Sequence, residues 1–203
     1  GELDVLFNNV GAQLSAAPIA QITQQEWDAT MALCLRSVLF GLKHGVPSLR
    51  RRGGGSILNT ASVAGLRAGI STVAYSVAKA GIIHLTRMAA LEFAADRIRV
   101  NAICPGVIPT PSVAEHFGVP AAARDAFMGD LADAFATLQP LPRMACAEDV
   151  ARTALFLASG ASSFTTGQAL VVDGGMLTAG PGSMAIGAGP SAMDRALGQA
   201  ARH

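Results

Sequence analysis

Aromatic residues are scarce in this chain: they make up 5% of its 203 residues, whereas apolar residues make up 51%. An interior with so few aromatic rings must be filled by Ala, Val, Ile and Leu, which is typical of buried parallel strands and closely spaced helices. A run of roughly eighteen apolar residues is also absent, so we expect no membrane-spanning helix and no membrane partner. The composition favours one α/β domain with a sizeable core.

A strong net charge is lacking as well, because fifteen Lys and Arg residues face fourteen Asp and Glu residues. Because the net charge is close to zero, no overall electrostatic field attracts nucleic acid or an anionic membrane. A small-molecule partner is expected instead. Arg50, Arg51 and Arg52 form the only basic run, and Gly53–Gly55 follow it at once. This pattern favours a solvated helix end followed by a turn over a phosphate site.

Cysteine is limited to Cys34, Cys104 and Cys146. An odd number without metal-type spacing argues against a disulfide framework and against a metal site. We therefore expect a reducing compartment and a cytoplasmic protein.

Apolar strand-like segments alternate with long helical segments along the chain. Strands are predicted over 4–7, 55–60, 97–103 and 168–172, and helices over 23–52, 71–95, 121–138 and 147–158, with a short one near 112–116. The first long helix opens with the capping-box pair Thr23 and Glu26. Such alternation implies right-handed crossovers and a doubly wound parallel sheet with helices on both faces, a Rossmann-like three-layer arrangement.

Ser62, Tyr75 and Lys79 are the candidate catalytic residues. Tyr75 and Lys79 are four residues apart on a predicted helix and so share one face, while Ser62 follows the neighbouring strand. A phenol has a pKa of about 10, and a nearby lysine ammonium is expected to lower it towards neutrality. The tyrosine would then exchange a proton with a substrate oxygen that the serine holds. A Tyr-x-x-x-Lys pattern alone is weak support for this chemistry.

Five motifs in order turn this pattern into a family resemblance. They are Asn8-Asn9-Val10-Gly11, Ser62 thirteen residues before Tyr75, Tyr75-Ser76-Val77-Ala78-Lys79, the segment 99–106 (RVNAICPG) with Thr110 after it, and the segment 170–175 (LVVDGG). Together they resemble the short-chain dehydrogenase/reductase family over nearly the whole chain to Gly175.

The resemblance implies a hydride transfer between NAD or NADP and a secondary alcohol or ketone. Tyr75 would be the general acid/base, Ser62 the hydrogen-bond donor to the substrate oxygen, and Lys79 a ligand of the cofactor ribose. The residues expected to line the cofactor cleft are Asn8, Gly11, Tyr75, Lys79, Pro105, Gly106, Ile108 and Thr110. Homodimers or homotetramers built on the two long helices are also implied. Asn59 and Asn101 are interpreted as ties between strand ends, and Trp27 as a packing residue.

Two departures from the family pattern bear on these expectations. Cys34 stands where the family usually has an asparagine that kinks the helix and orders a water beside the lysine. No strand followed by a Gly-rich turn and a helix precedes Asn8, so nothing here matches the family's pyrophosphate cradle. We therefore expect residues 1–175 to be the C-terminal two thirds of one such domain with its N-terminal strands missing, and residues 176–203 to be a Gly/Ala-rich tail.

Two other functions remain open at this point. The chain could be a catalytically silent subunit or fragment that keeps the fold as an interaction surface, which the missing start and Cys34 favour and the retained Ser62, Tyr75 and Lys79 disfavour. An enoyl reductase of the same fold fits less well, because those relatives space the tyrosine and lysine more widely. The sequence does not identify the substrate.

Overall fold

The computed structural model describes residues 2–110, 119–136 and 139–179. In this part of the chain four strands and five α-helices follow one another. The strands are β1 (Val5–Asn8), β2 (Gly55–Thr60), β3 (Ile98–Pro105) and β4 (Ala169–Val172). The helices are α1 (Gln24–Met31), α2 (Ser37–Arg52), α3 (Val73–Phe93), α4 (Arg124–Ala136) and α5 (Ala147–Ala158). The predicted helix at 112–116 lies outside the described residues.

The four strands form one parallel sheet in the order β1-β2-β3-β4. The register sets Asn8 at the end of β1 beside Asn59 in β2, and Asn59 beside Ala102 in β3. Because all strands run the same way, their carboxyl ends meet at one edge of the sheet. The segments that follow β1 and β2 therefore begin next to each other.

Helices cover both faces of this sheet. On one face, buried residues of α2 and α3 such as Leu42 and Ile82 form a cluster with Ile57 and Val100. On the other face, Leu157 of α5 contacts Leu58. Since the side chains of successive strand residues point to opposite faces, Ile57 and Leu58 pack against helices on different faces of the sheet. This arrangement confirms the predicted doubly wound three-layer fold.

The first long helix starts as predicted but is not regular throughout. Thr23 caps α1 with a complete capping box to Glu26. Residues Ala32–Arg36 then form a π-helical turn between α1 and α2, with the buried Cys34 at its centre. A π turn widens the helix by one residue and leaves carbonyl groups without their usual partners. The regular helix predicted over 23–52 is therefore interrupted, although no asparagine stands at position 34.

The basic run ends a helix, as the sequence indicated. Gly53 adopts a left-handed conformation, φ 88°, as the cap of α2. Arg50 pairs with Asp96 at 2.8 Å and Arg52 with Asp4 at 2.8 Å. These side chains lie at the surface, where such pairs add little stability.

The chain divides into two compact units. The first comprises Gly1–Pro105 and Ala147–Val172 and holds the sheet with α1, α2, α3 and α5. The second comprises Gly106–Cys146 and Asp173–His203 and holds α4. In the second unit the Asp173 carboxylate accepts hydrogen bonds from the backbone of Gly175 and Leu177, both at 2.8 Å. No helix in the described ranges is long and apolar enough to cross a bilayer.

Candidate active site

Ser62 stands two residues beyond the end of β2 and caps a short 3-10 turn, Val63–Gly65. Its hydroxyl oxygen accepts a hydrogen bond from the Ala64 backbone at 3.1 Å. That bond holds the Ser62 side chain at the carboxyl edge of the sheet. The start of α3, which carries Tyr75, lies near the same edge. In this place Ser62 is close enough to the Tyr75 hydroxyl to lower the pKa of the phenol.

Tyr75 and Lys79 face the same point from α3. Lys79 is almost completely buried, with 1% of its surface exposed, and its Nζ donates to the carbonyl oxygen of Thr60 at 2.7 Å. The same Nζ lies 5.4 Å from the centre of the Tyr75 ring. A serine, a tyrosine and a lysine that are distant in sequence thus share one site in the first unit.

Burial, and not the neighbouring lysine, dominates the pKa of Tyr75. Removal from water raises the pKa of Tyr75 to about 12, and the hydrogen bond from Ser62 offsets only part of that rise. Burial likewise lowers the pKa of Lys79 below its ordinary range. The lowering of the tyrosine pKa that the sequence predicts depends on Lys79 together with the charge of a bound nicotinamide, and it stays a prediction. A water-poor site destabilises every charged form, including the phenolate.

Asn8 and Gly11 lie on the segment that leaves β1. The Asn8 amide donates to Asn59 Oδ1 at 2.9 Å, which ties the ends of β1 and β2 together. At Gly11 an added Cβ would lie 3.0 Å from Lys79 Nζ, closer than most real contacts. Glycine thus lets the backbone approach the lysine. Of these two predicted cofactor-lining residues, Gly11 lies beside Lys79, whereas Asn8 is bonded to Asn59.

The predicted nicotinamide segment spans both units. Pro105 ends β3 and is buried in the first unit, whereas Gly106, Ile108 and Thr110 belong to the second unit and are partly buried. An added Cβ at Gly106 would lie 3.1 Å from the backbone of Asp173, so a side chain there would collide with its own unit.

The secondary interpretations from the sequence hold in part. Asn59 ties β1 to β2, and Asn101 donates to Thr165 O at 2.8 Å and accepts from Gln168 N at 3.0 Å, as expected of strand-end ties. Cys34 is fully buried and donates a weak bond to Ala12 O at 3.4 Å. In the described ranges no three His, Cys, Asp or Glu side chains cluster as a metal site would.

Sequence reasoning missed two features of the site. Lys79 is held by the backbone carbonyl oxygen of Thr60, and every residue has such an oxygen. The residue type at position 60 therefore could not predict this bond. Three hydroxyl oxygens around the start of α3, those of Ser71, Thr72 and Ser76, are buried and have no hydrogen-bond partner in the described structure. The cluster of hydroxyl residues next to Tyr75 was visible in the sequence, but its lack of partners was not.

Comparison with known proteins identifies the family. The family model described as Enoyl-(Acyl carrier protein) reductase matches residues 1–177. A structure described as a putative short-chain dehydrogenase/reductase from Burkholderia xenovorans superposes with a TM-score of 0.75 at 36% identity, covering 89% of this chain and 66% of that one. The chain belongs to the short-chain dehydrogenase/reductase family. It is therefore related to oxidoreductases.

Two curated members of the short-chain dehydrogenase/reductase family are similar to this chain. Cis-4-hydroxycyclohexanecarboxylate dehydrogenase from Sinomonas cyclohexanicum is 39% identical over 175 residues, which cover 86% of this chain and 66% of the relative. Cyclohexanol dehydrogenase from Acinetobacter sp. (strain SE19) is 37% identical over 175 residues, covering 86% and 64%. The chain thus spans about two thirds of the length of these relatives.

The pKa of Tyr75 can be measured from the difference in phenolate absorbance between the parent protein and Tyr75→Phe, which removes the one tyrosine of these 203 residues. We expect its phenolate absorbance to appear with a midpoint near pH 12, above the ordinary value of about 10. Since the folded pKa is the higher one, this group contributes stability that is present below about pH 10 and is lost as the pH rises towards 12. A near-ultraviolet absorbance titration gives the midpoint of phenolate formation, and circular dichroism at each pH shows whether the protein is still folded. A midpoint at or below 10 in the folded protein would contradict this prediction.

Proposed function

We propose that the protein transfers a hydride between NAD or NADP and a secondary alcohol or ketone, with Tyr75 as the general acid/base. The observation that carries this proposal is that the Lys79 ammonium lies 5.4 Å from the centre of the Tyr75 ring, and that Ser62 stands close enough to the phenol to lower its pKa. Membership of an oxidoreductase family supports the same reaction class.

Each residue has a distinct task in the proposed reaction. When bound, the nicotinamide supplies the carbon that accepts the hydride from the alcohol or returns it to the ketone. Ser62 holds the substrate oxygen beside the phenol. In oxidation Tyr75 accepts the hydroxyl proton, and in reduction it donates a proton to the carbonyl oxygen. Lys79, held by Thr60, keeps a positive charge beside the phenol, which favours the phenolate against the cost of burial.

The residues at this edge of the sheet suit a dinucleotide ribose. An ammonium has three N–H donors, and within the described residues Lys79 has one hydrogen-bond acceptor, Thr60 O. The remaining donors suit a ribose diol. In the first unit the proposed cofactor-lining residues are Asn8, Gly11, Tyr75, Lys79 and Pro105. Gly106, Ile108 and Thr110 of the second unit stay in the proposed set on the family resemblance alone.

Ring alcohols are the proposed substrate class. The two curated relatives are named for cis-4-hydroxycyclohexanecarboxylate and for cyclohexanol, and both compounds carry a secondary hydroxyl on a six-membered ring. A secondary alcohol is also what the Ser62 and Tyr75 pair can serve, because both groups address a single oxygen atom.

A turnover assay tests the proposal. The full product of the gene is incubated with NAD or NADP and with cyclohexanol, 4-hydroxycyclohexanecarboxylate or a linear secondary alcohol, and reduced nicotinamide is followed by its absorbance. We expect oxidation of at least one ring alcohol and the reverse reduction of its ketone. An enoyl thioester is the control substrate. Reduction of the enoyl double bond without alcohol oxidation would replace this proposal with an enoyl reductase.

The raised pKa of Tyr75 favours a second candidate, a catalytically silent member of the fold that serves as an interaction surface. A phenol with a pKa near 12 is a poor base at neutral pH. The same assay separates the candidates, because a silent protein turns over no alcohol although it is folded.

We further propose a cytoplasmic homodimer or homotetramer. Exposed apolar residues on α2 and α3 support self-association, since large exposed side chains on a helix face mark interfaces. They are Leu39, Phe40, Val77, Met88 and Leu91. A content of three cysteines, an odd number without metal-type spacing, supports a reducing compartment. Analytical ultracentrifugation measures the stoichiometry.

A further inference from the structure

A row of hydrogen bonds runs from the end of β1 to the middle of α3. The Asn8 amide nitrogen donates to Asn59 Oδ1 at 2.9 Å, and the Asn59 amide nitrogen donates to Thr86 Oγ1 at 3.0 Å. The Thr86 hydroxyl then donates to the backbone carbonyl of Ile82 at 2.8 Å. Asn59 and Thr86 are almost fully buried, with 0% and 1% of their surfaces exposed, whereas Asn8 is partly buried. The two bonds of Thr86 therefore lie inside the protein.

The direction of these bonds is set at the α3 end. The hydroxyl proton of Thr86 is used on Ile82, so its lone pairs face Asn59 and require a donor there. Asn59 must turn its nitrogen to Thr86 and its oxygen to Asn8. Asn8 must then present its nitrogen to Asn59. An amide flip at either asparagine would bring two donors or two acceptors together.

Gly41 of α2 closes the other side of Asn8. A Cβ added at Gly41 would overlap Asn8 Oδ1 and would lie 2.9 Å from its Cγ. The Asn8 carboxamide is thus packed between the backbone of Gly41 and the side-chain amide of Asn59. These two contacts fix its orientation.

Thr86 lies seven residues after Lys79, two helical turns along the same face of α3. Lys79 bonds to Thr60 and Thr86 bonds to Asn59, so one face of α3 is fastened to two successive residues of β2. Beside them the Thr60 hydroxyl donates to Asn9 Oδ1 at 2.6 Å. The helix that carries Tyr75 and the segment that follows β1 are therefore held in one register.

We propose that Thr86 is a positioning residue: its hydroxyl fixes the orientation of the Asn8 carboxamide and, through it, the affinity of the site for the nucleotide. The second part rests on the proposed function, in which Asn8 lines the cofactor cleft. The first part concerns the free protein alone.

The test compares Thr86→Val, which replaces the hydroxyl by a methyl group of similar size, with Thr86→Ser, which restores it. Thr30→Val is the matched control, because Thr30 is equally buried and its hydroxyl makes the same bond four residues back, to Glu26 O at 2.9 Å. The full product of the gene is used. The readouts are the melting temperature, the side-chain amide NMR signals of Asn8 and Asn59, and the dissociation constant for NADH or NADPH.

Thr86→Val is expected to shift or broaden the Asn8 amide signals and to weaken nucleotide binding about tenfold, the scale of one lost hydrogen bond. Thr86→Ser should restore both. Thr30→Val should lower the melting temperature while leaving the Asn8 signals and the affinity unchanged. In an Asn8→Ala background, Thr86→Val should change the affinity by less than about twofold, because the two residues act in series.

An unchanged Asn8 signal in Thr86→Val, or equal losses of affinity with and without Asn8, would overturn the proposal. If Thr86→Val does not fold, Gly41→Ala displaces the same carboxamide from α2 and should cause the same two changes. A protein that binds no nucleotide would refute the proposed function instead, and the Asn8 signals of the free protein would still decide the role of Thr86.

Discussion

Tyr75→Phe is expected to lower turnover by about two to four orders of magnitude, the usual contribution of general acid/base catalysis. Phenylalanine fills the same volume but has no proton to exchange with the substrate oxygen. The ring stays over the Lys79 ammonium, and Ser62 loses one hydrogen-bond partner while it keeps Ala64. The loss should therefore appear in kcat. The affinity for the nucleotide should change by less than about twofold, because the phenol hydroxyl is one of many contacts.

The measurement uses the full product of the gene and an alcohol that the parent oxidises. Melting temperature and nucleotide titration serve as controls for folding and binding. Ser62→Ala is the companion variant, because it removes the other group that addresses the substrate oxygen while leaving the phenol. More than a tenth of the parent activity in Tyr75→Phe would show that another group exchanges the proton.

The 203-residue chain expressed by itself is expected to aggregate and to bind NAD or NADP only at concentrations on the order of millimolar or weaker. In the described structure β1 pairs with β2 on one side only, so its other edge offers unpaired N–H and C=O groups. Val5 and Phe7 are 37% and 42% exposed on the same strand. An open edge with apolar side chains is a template for pairing with other chains.

Phe7→Lys is the variant that tests this prediction, because a lysine on an edge strand opposes pairing with another chain. Leu155→Lys on α5 is the matched control, since Leu155 is 71% exposed and belongs neither to β1 nor to the helix faces proposed for self-association. Light scattering should fall in Phe7→Lys and persist in Leu155→Lys. Calorimetric titration measures nucleotide binding. A parent chain that melts cooperatively as a defined oligomer and binds the nucleotide at micromolar concentration would contradict both parts.

Much of the fold could be predicted from local patterns. The capping box at Thr23, the strand over Gly55–Thr60 and the helix over Ala147–Ala158 agree with the structure because caps, apolar runs and helical periodicity act over a few residues. The π turn at Ala32–Arg36 was not predicted. Its sequence, ALCLR, has ordinary helical periodicity, and the irregularity depends on contacts made across the fold, such as the bond from Cys34 to Ala12.

The candidate site divides in the same way. The i to i+4 spacing of Tyr75 and Lys79 was enough to put them on one helix face. The lowering of the Tyr75 pKa stays a prediction, because spacing shows that a lysine is near but does not show that water is excluded from the phenol, and that exclusion raises its pKa. Thr86 gave no signal at all, since a threonine within a helix becomes a hydrogen-bond partner only where another element brings an amide to it.

By itself the sequence determined the alternation of strands and helices, the family to which the chain belongs and the choice of Ser62, Tyr75 and Lys79 as the proposed reactive set. These depend on residue types at short, fixed spacings, which backbone geometry converts into position. Only the tertiary structure decided that Lys79 is anchored by the carbonyl of Thr60, that burial raises the pKa of Tyr75, and that Thr86 and Gly41 confine Asn8. Those properties depend on distances between residues far apart in the chain and on the exclusion of water, and neither exists until the sheet and its helices have closed on one another.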